Sequence, residues 1–285
     1  MKSSRVRRLL LAALPLAAFA AAAPAPAKPR VAKPPAYDLV IRGGTIYDGS
    51  GGAPYKGDVG VKGDRIAYVG THLRGRGAQE IDAKGLAVSP GFINMLSWAA
   101  EPLIADGRAQ SDIRQGVTLE VFGEGWSMGP WNAATVAEVQ AEQTGVRYPV
   151  TFNSLGGYFD FIEKRGTSVN VASFVGASSV RVYALGRNDV DPTAEQLGQM
   201  RGLVREAMNQ GAMGVGSSLI YIPAAYAETD ELVALSTEAA RCGGMYISHI
   251  RNEGAGLLRA IDELIDISRR SGARAEVYHL KAAGR

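Results

Sequence analysis

Two short apolar runs, thirty residues apart, both close on a histidine: Met245-Tyr246-Ile247-Ser248-His249 and Ala275-Glu276-Val277-Tyr278-His279. The first follows Gly243-Gly244 and opens into a polar cluster, Arg251-Asn252-Glu253-Gly254. A helical stretch over 257–270 separates the two. A near-continuous apolar run of this length, bounded by glycines and rich in β-branched and aromatic residues, is how a buried parallel strand is written. In a barrel of such strands the chemistry gathers at the C-terminal tips. The chain has three histidines, and two of them fall at matched tips of consecutive strands. The third, His72, lies in a loop and carries no expected role.

The same alternation extends back towards the N-terminus. Apolar runs over 92–96, 117–122, 169–175 and 213–218 predict strands, and 111–115, 133–143, 193–209 and 228–241 predict helices. Pro192 before Thr193, apolar residues at Leu197, Met200, Leu203 and Val204, and Gln210-Gly211 at the end mark one helix from cap to cap. Six strands joined by helical connections predict an α/β fold over 90–285: a (β/α) TIM-type barrel, incomplete after about six of its eight strands. An open doubly wound sheet is the alternative, but no G-x-G-x-x-G opens a helix after the first strand. Residues 37–89 are different. Short β-rich runs broken by Gly and Asp, such as Asp48-Gly49-Ser50-Gly51-Gly52 and Lys62-Gly63-Asp64, predict a small antiparallel, sandwich-like β domain.

The first 27 residues have the form of a secretory signal peptide. Lys2, Arg5, Arg7 and Arg8 precede an apolar run over 9–20, and A-x-A options follow between Ala21 and Ala27. The run is short for a membrane span and contains Pro15, so a secreted or periplasmic protein without a stable membrane span is expected. The Pro/Ala/Lys-rich segment 28–36 reads as a linker. The formal net charge of +3 includes the four cations of the leader, so its removal leaves −1. The basicity belongs to targeting and gives no reason to expect nucleic acid as a partner. Cys242 is the single cysteine, which rules out an intramolecular disulfide. It is expected to be a small buried hydrophobe.

Several stretches resemble a known family. Asp38-Leu39-Val40-Ile41-Arg42-Gly43-Gly44-Thr45-Ile46-Tyr47-Asp48-Gly49 is similar to the opening of the amidohydrolase superfamily's small β-domain, and Val88-Ser89-Pro90-Gly91-Phe92-Ile93 to its lead-in to the barrel. Gln115-Gly116-Val117-Thr118, the stretch over 170–176, the stretch over 211–221, Ser248-His249-Ile250-Arg251-Asn252-Glu253-Gly254 and His279-Leu280-Lys281 resemble the N-acyl-D-amino-acid deacylases (D-aminoacylases) within that superfamily. The resemblance implies a metal-dependent hydrolase acting on a small-molecule amide through metal-activated water. It also marks departures. The family's H-x-H after the first strand is absent from Asn94-Met95-Leu96-Ser97-Trp98. Glu124 stands where the family commonly has Cys, and Ala177 where related sequences often have His. The catalytic Asp that the family carries after its eighth strand would lie beyond Arg285, so no catalytic residue is assigned and the chain reads as a fragment.

Glu124, His249 and His279 fall on the tips of strands two, five and six, which converge on one face of a barrel. One carboxylate and two imidazoles suffice to hold one catalytic zinc ion with a position left open. Oxygen in place of sulfur makes the site harder, so Mn or Fe are also compatible. By the resemblance, Tyr221 lies against the substrate and Lys281 binds its carboxylate. Arg251 is a third candidate substrate-binding residue, or else pairs with Glu253 to fix the loop. Trp98 and Trp126 line the pocket or pack at its rim. The expected activity is hydrolysis of an N-acyl-D-amino acid or a similar small amide. A dipeptide or cyclic-amide hydrolase, or a degenerate barrel that binds without turnover, are the alternatives.

Overall fold

The computed structural model describes residues 35–283. The leader at 1–27 and the linker up to residue 34 lie outside the described residues. The chain divides into two compact units, one through Ser89 and one from Pro90 onward.

The first unit is one sheet built from β1 (Tyr37–Ile46), β2 (Tyr55–Lys62), β3 (Arg65–Gly70), β4 (Gly77–Asp82) and β5 (Ala87–Val88). The order is β3-β2-β1-β4, with β5 also on β1. The sheet is mixed rather than antiparallel: β1–β2 and β2–β3 pair antiparallel, but β4 and β5 run parallel to β1. The chain on either side of Gly43-Gly44 is one strand, β1. Gly43 and Gly44 do not turn the chain but form a bulge, where the register to β2 shifts between Ile41 and Gly44 and Gly43 takes φ 69°. Asp58 Oδ1 accepts the Gly43 N–H at the bulge. His72 is exposed in the loop after β3.

The second unit alternates strand and helix: β6 (Phe92–Asn94), α1 (Ala100–Ala105), α2 (Gln110–Ile113), β7 (Val117–Phe122), α3 (Ala133–Glu142), α4 (Leu155–Arg165), β8 (Asn170–Ser173), β9 (Val175–Gly176), α5 (Ala177–Leu185), α6 (Ala194–Asn209), β10 (Gly214–Ser218), α7 (Thr229–Arg241), β11 (Met245–His249), α8 (Leu257–Ser271) and β12 (Arg274–Val277). All strand pairings are parallel. The run expected as one strand at 169–175 breaks at Phe174. Its first half, β8, pairs with β7, and its second half, β9, pairs with β10. Around this crossover the wall runs β6-β7-β8 and then β9-β10-β11-β12. Among the described residues β6 and β12 do not pair, so the wall is open rather than a closed barrel.

Two apolar layers hold the wall. On one face Val175, Val215 and Tyr246 pack with Val180, Met200, Val204, Leu232, Leu235 and Ile267 of the covering helices. On the other, Val121, Phe174 and Ile247 meet Leu119, Met213, Met245 and Tyr278. In β11 the two-residue period of a strand therefore puts Met245, Ile247 and His249 on one side and Tyr246 on the other. α6 begins with a capping box, Thr193 and Gln196 each bonding the other's backbone N–H. α8 buries Ala260, Leu264 and Ile267 on one stripe and stops at Gly272, φ 75°. Cys242 is exposed, against the expectation of burial, because it caps the last turn of α7 where the helix leaves the core.

Arg181 of α5 and Glu231 of α7 form a fully buried ion pair, and Arg181 also donates to the Val190 carbonyl. Burial pushes the Glu231 carboxyl up to about 7 against the pull of Arg181. Desolvation therefore outweighs the attraction, and the pair's value is in not being broken. Glu231→Ala is expected to destabilise the protein by about 3–5 kcal/mol because it strands the Arg181 charge, as read from urea unfolding. The double variant Arg181→Met/Glu231→Leu is expected to recover most of that loss, and a Glu231→Ala protein as stable as the parent would contradict the assignment.

Candidate metal centre

Glu124 sits between Gly123 and Gly125, in the turn after β7. Both glycines have positive φ, 106° and 76°. A Cβ on Gly123 would strike the Phe174 carbonyl, and one on Gly125 would strike the Ser218 hydroxyl at the end of β10. The turn is pressed against the neighbouring strand ends, which only glycine permits, and this delivers the Glu124 carboxylate into the space above them. His249 is the last residue of β11. Its carbonyl accepts from Ser248 Oγ, at the end of a hydroxyl chain from Tyr246 through Ser217 (2.7 Å) and Ser248 (2.8 Å). Burial pushes the Tyr246 phenol up to about 12, so it stays a donor. His279 follows β12.

The three side chains meet. His249 Nδ1 is 3.1 Å from Glu124 Oε1 and 2.8 Å from His279 Nε2, and His279 Nε2 is 3.8 Å from Glu124 Oε1. One potential ligand atom from each lies within 4.8 Å of the others. The imidazole rings stand nearly perpendicular, centroids 4.5 Å apart. Glu124 and His249 are buried, and His279 is partly so. Burial lowers the His279 pKa, and the neighbouring His249 and Lys281 lower it further, which favours the neutral, ligating form. A carboxylate oxygen and two ring nitrogens offer three lone pairs to one point. A cation satisfies all three at once, whereas hydrogen bonds among them need a proton at one ring nitrogen for every contact made. The donor set thus fits a divalent metal of zinc type.

Glu253, which the sequence suggested as a partner for Arg251, belongs to this cluster instead. Its Oε1 is 3.4 Å from His249 Nε2, 3.7 Å from His279 Nε2 and 3.2 Å from Lys281 Nζ. His249 Nε2 and Glu253 Oε1 are both buried and without a hydrogen bond. A carboxylate at the far nitrogen of a ligating imidazole fixes its tautomer and its aim. The four-residue spacing from His249 was the available signal. Trp98 donates from Nε1 to Glu124 Oε2 at 3.1 Å, which orients the carboxylate from the stretch where the H-x-H would be.

Tyr221, exposed in the loop after β10, has its ring edge-on to His249 at 5.2 Å. Lys281 is beside the cluster through Glu253. Arg251 is not brought to it. Its guanidinium bonds both oxygens of Glu263 (2.9 and 2.8 Å) and the carbonyls of Ala225 and Ala227 (2.9 and 2.8 Å). Nearly all of the Arg251 N–H groups are committed to Glu263 and to the loop that carries Tyr221, the loop-fixing role open to it from the sequence but with Glu263 in place of Glu253.

No protein-family model matches the chain. It is 33% identical over 250 residues to the D-aminoacylase of Alcaligenes xylosoxydans xylosoxydans, covering 87% of this chain and 51% of that protein. A crystal structure of D-aminoacylase superposes with a TM-score of 0.76 at 31% identity, over 85% of this chain and 51% of that one. The chain is a homologue of the D-aminoacylases. It spans about half the length of the relatives it matches. A third similar protein, the N-acyl-D-glutamate deacylase of Bordetella bronchiseptica, was solved with zinc and a phosphonate inhibitor that mimics the tetrahedral intermediate. It is 30% identical, with a TM-score of 0.73, over 84% of this chain and 50% of that one.

Glu253→Ala is expected to weaken zinc binding by about 10- to 100-fold while leaving the fold intact, as befits a residue that orients a ligand. Competition against a chromophoric chelator measures this. Unchanged affinity would remove Glu253 from the site.

Proposed function

We propose that the protein is a metal-dependent amidohydrolase that cleaves the C–N amide bond of an N-acyl-D-amino acid or a similar small amide. The convergence of Glu124 Oε1, His249 Nδ1 and His279 Nε2 within 4.8 Å at three strand tips carries this reading. The likeness to deacylases supports it. Zinc, or Mn or Fe, would be held by these three residues. When bound, such an ion polarises a carbonyl and lowers the pKa of water from about 15.7 to about 7.

The chain's own residues supply the rest. Glu253, 3.4 Å from His249 Nε2, would orient the His249 ring. Lys281, its ammonium 3.2 Å from Glu253 Oε1, would bind the substrate carboxylate. Tyr221 closes the open side of His249. Trp98 keeps one Glu124 oxygen occupied, so that the other faces the imidazoles. A proton-shuttling carboxylate completes hydrolysis in this scheme, and we assign it to no residue of this chain.

One observation favours a second reading, a barrel that binds without turnover: Leu96-Ser97-Trp98 offers no histidine, and Trp98 takes up a hydrogen-bonding position on Glu124. We further infer secretion or export to the periplasm, from the leader. N-terminal sequencing of the exported protein should begin between residues 22 and 28, and recovery of an intact Met1 chain would refute this.

Elemental analysis of the purified chain is expected to find about one equivalent of zinc, manganese or iron, lost in both Glu124→Ala and His249→Ala. A metal-free protein, or metal indifferent to both substitutions, would sink the assignment and leave the non-catalytic reading.

A further inference from the structure

The chain has three tryptophans, and all three line one cavity. Trp98, Trp126 and Trp131, with Phe122, Met128 and Val139, line a half-open cavity of about 470 Å³ beside Glu124, which is also part of its wall. The cavity and the metal centre thus share a side chain. Trp131 is fixed by stacking on Phe152, centroids 5.6 Å apart, and Trp126 by the Arg187 guanidinium over its face at 5.3 Å. Arg187 is held in turn by Glu138, at 2.9 and 2.6 Å. The aromatic walls are therefore preformed. A dry cavity of about 150 Å³ already holds benzene, so the space takes an aryl group with its linker.

We propose that this cavity is the acyl subsite of the amide substrate, and that it selects a bulky, uncharged, aromatic acyl group. The proposal rests on the hydrolase reading above. The wall order decides which end of the substrate enters. Trp98 and Trp126 follow β6 and β7 at one end of the wall, while Lys281 follows β12 at the other, and Glu124, His249 and His279 gather between them. A substrate whose carboxylate meets Lys281 and whose scissile bond lies at the three ligands must extend its acyl group towards the tryptophans. Charge sets the second half of the selection. The lining holds Glu101, Glu138 and Glu142 against the single cation Arg187, which Glu138 already pairs. An acidic acyl group meets repulsion there, and a short acetyl group leaves the aromatic walls uncovered.

The tryptophans make the cavity its own reporter. The zinc-supplemented chain is titrated with N-phenylacetylglycine, N-acetylglycine and N-succinylglycine, which are achiral and differ only in the acyl group, following tryptophan emission and calorimetric heat. N-phenylacetylglycine is expected to shift the emission and to bind about tenfold more tightly than N-acetylglycine, with N-succinylglycine no tighter than N-acetylglycine. Val139→Phe, which fills the cavity, and Trp126→Ala, which opens it, should each bring the phenylacetyl-to-acetyl ratio towards one, with thermal unfolding run beside them. Equal binding of the phenylacetyl and acetyl compounds, or a preference that survives both substitutions, overturns the proposal. Zinc content of the same samples separates the two readings. One equivalent of zinc without an aryl preference overturns the acyl subsite and leaves the hydrolase, whereas an aryl preference in a chain that takes up no zinc supports the cavity and removes the hydrolase.

Discussion

The close packing of Gly123-Glu124-Gly125 against the neighbouring strand ends is the contact on which the rest of the site depends. A parallel wall brings its C-terminal tips together, but tips alone do not deliver a carboxylate to two imidazoles. The chain has to pass at a distance that leaves no room for a Cβ, first at Gly123 against the Phe174 carbonyl and then at Gly125 against the Ser218 hydroxyl. Glycine is the one residue that tolerates both this crowding and the left-handed φ at each position. The motif therefore has a steric meaning: two residues without side chains clear the space in which a third presents its charge.

Around that carboxylate the site is organised from two directions. The hydroxyl chain Tyr246–Ser217–Ser248 ends on the His249 backbone, so β11 arrives at a defined height. Glu253 and Trp98 then act on side chains, the first at the His249 ring and the second at the Glu124 carboxylate. Glu124 thus has a hydrogen-bond partner of its own in Trp98, and His249 has a carboxylate facing its far nitrogen, the kind of support that orients a ligand before any ion enters.

Much of this was legible in the sequence because its signals were periodic. The 30-residue spacing of His249 and His279, the capping residues of α6 and the apolar runs of β7, β10 and β11 all appear where expected. The helices that escaped notice lack such signals. α4 carries Gly156-Gly157 in its first turn, which reads as a loop although Ser154 caps it. α5 follows β9 with no intervening turn and buries Ala177, Ser178, Ser179, Val180, Arg181 and Val182, so no polar face alternates with an apolar one. The mixed order of the first sheet was hidden for another reason: strand direction depends on which distant segment pairs with β1, and neither β4 nor β5 carries a local mark of it. Glu253 and Arg251 were a plausible local ion pair. Their actual partners, Lys281 and Glu263, come from elements that only the fold brings near.

Arg251 also has a bearing on how such a site can diversify. Its guanidinium joins the Ala225 and Ala227 carbonyls to Glu263, midway along α8. The loop that holds Tyr221 is thereby slung from a helix on the outer layer of the wall. Drift in that helix, far from the cluster of Glu124, His249 and His279, changes the hang of the loop, so the surroundings of Tyr221 can alter from the outside inward while the three clustered side chains stay as they are.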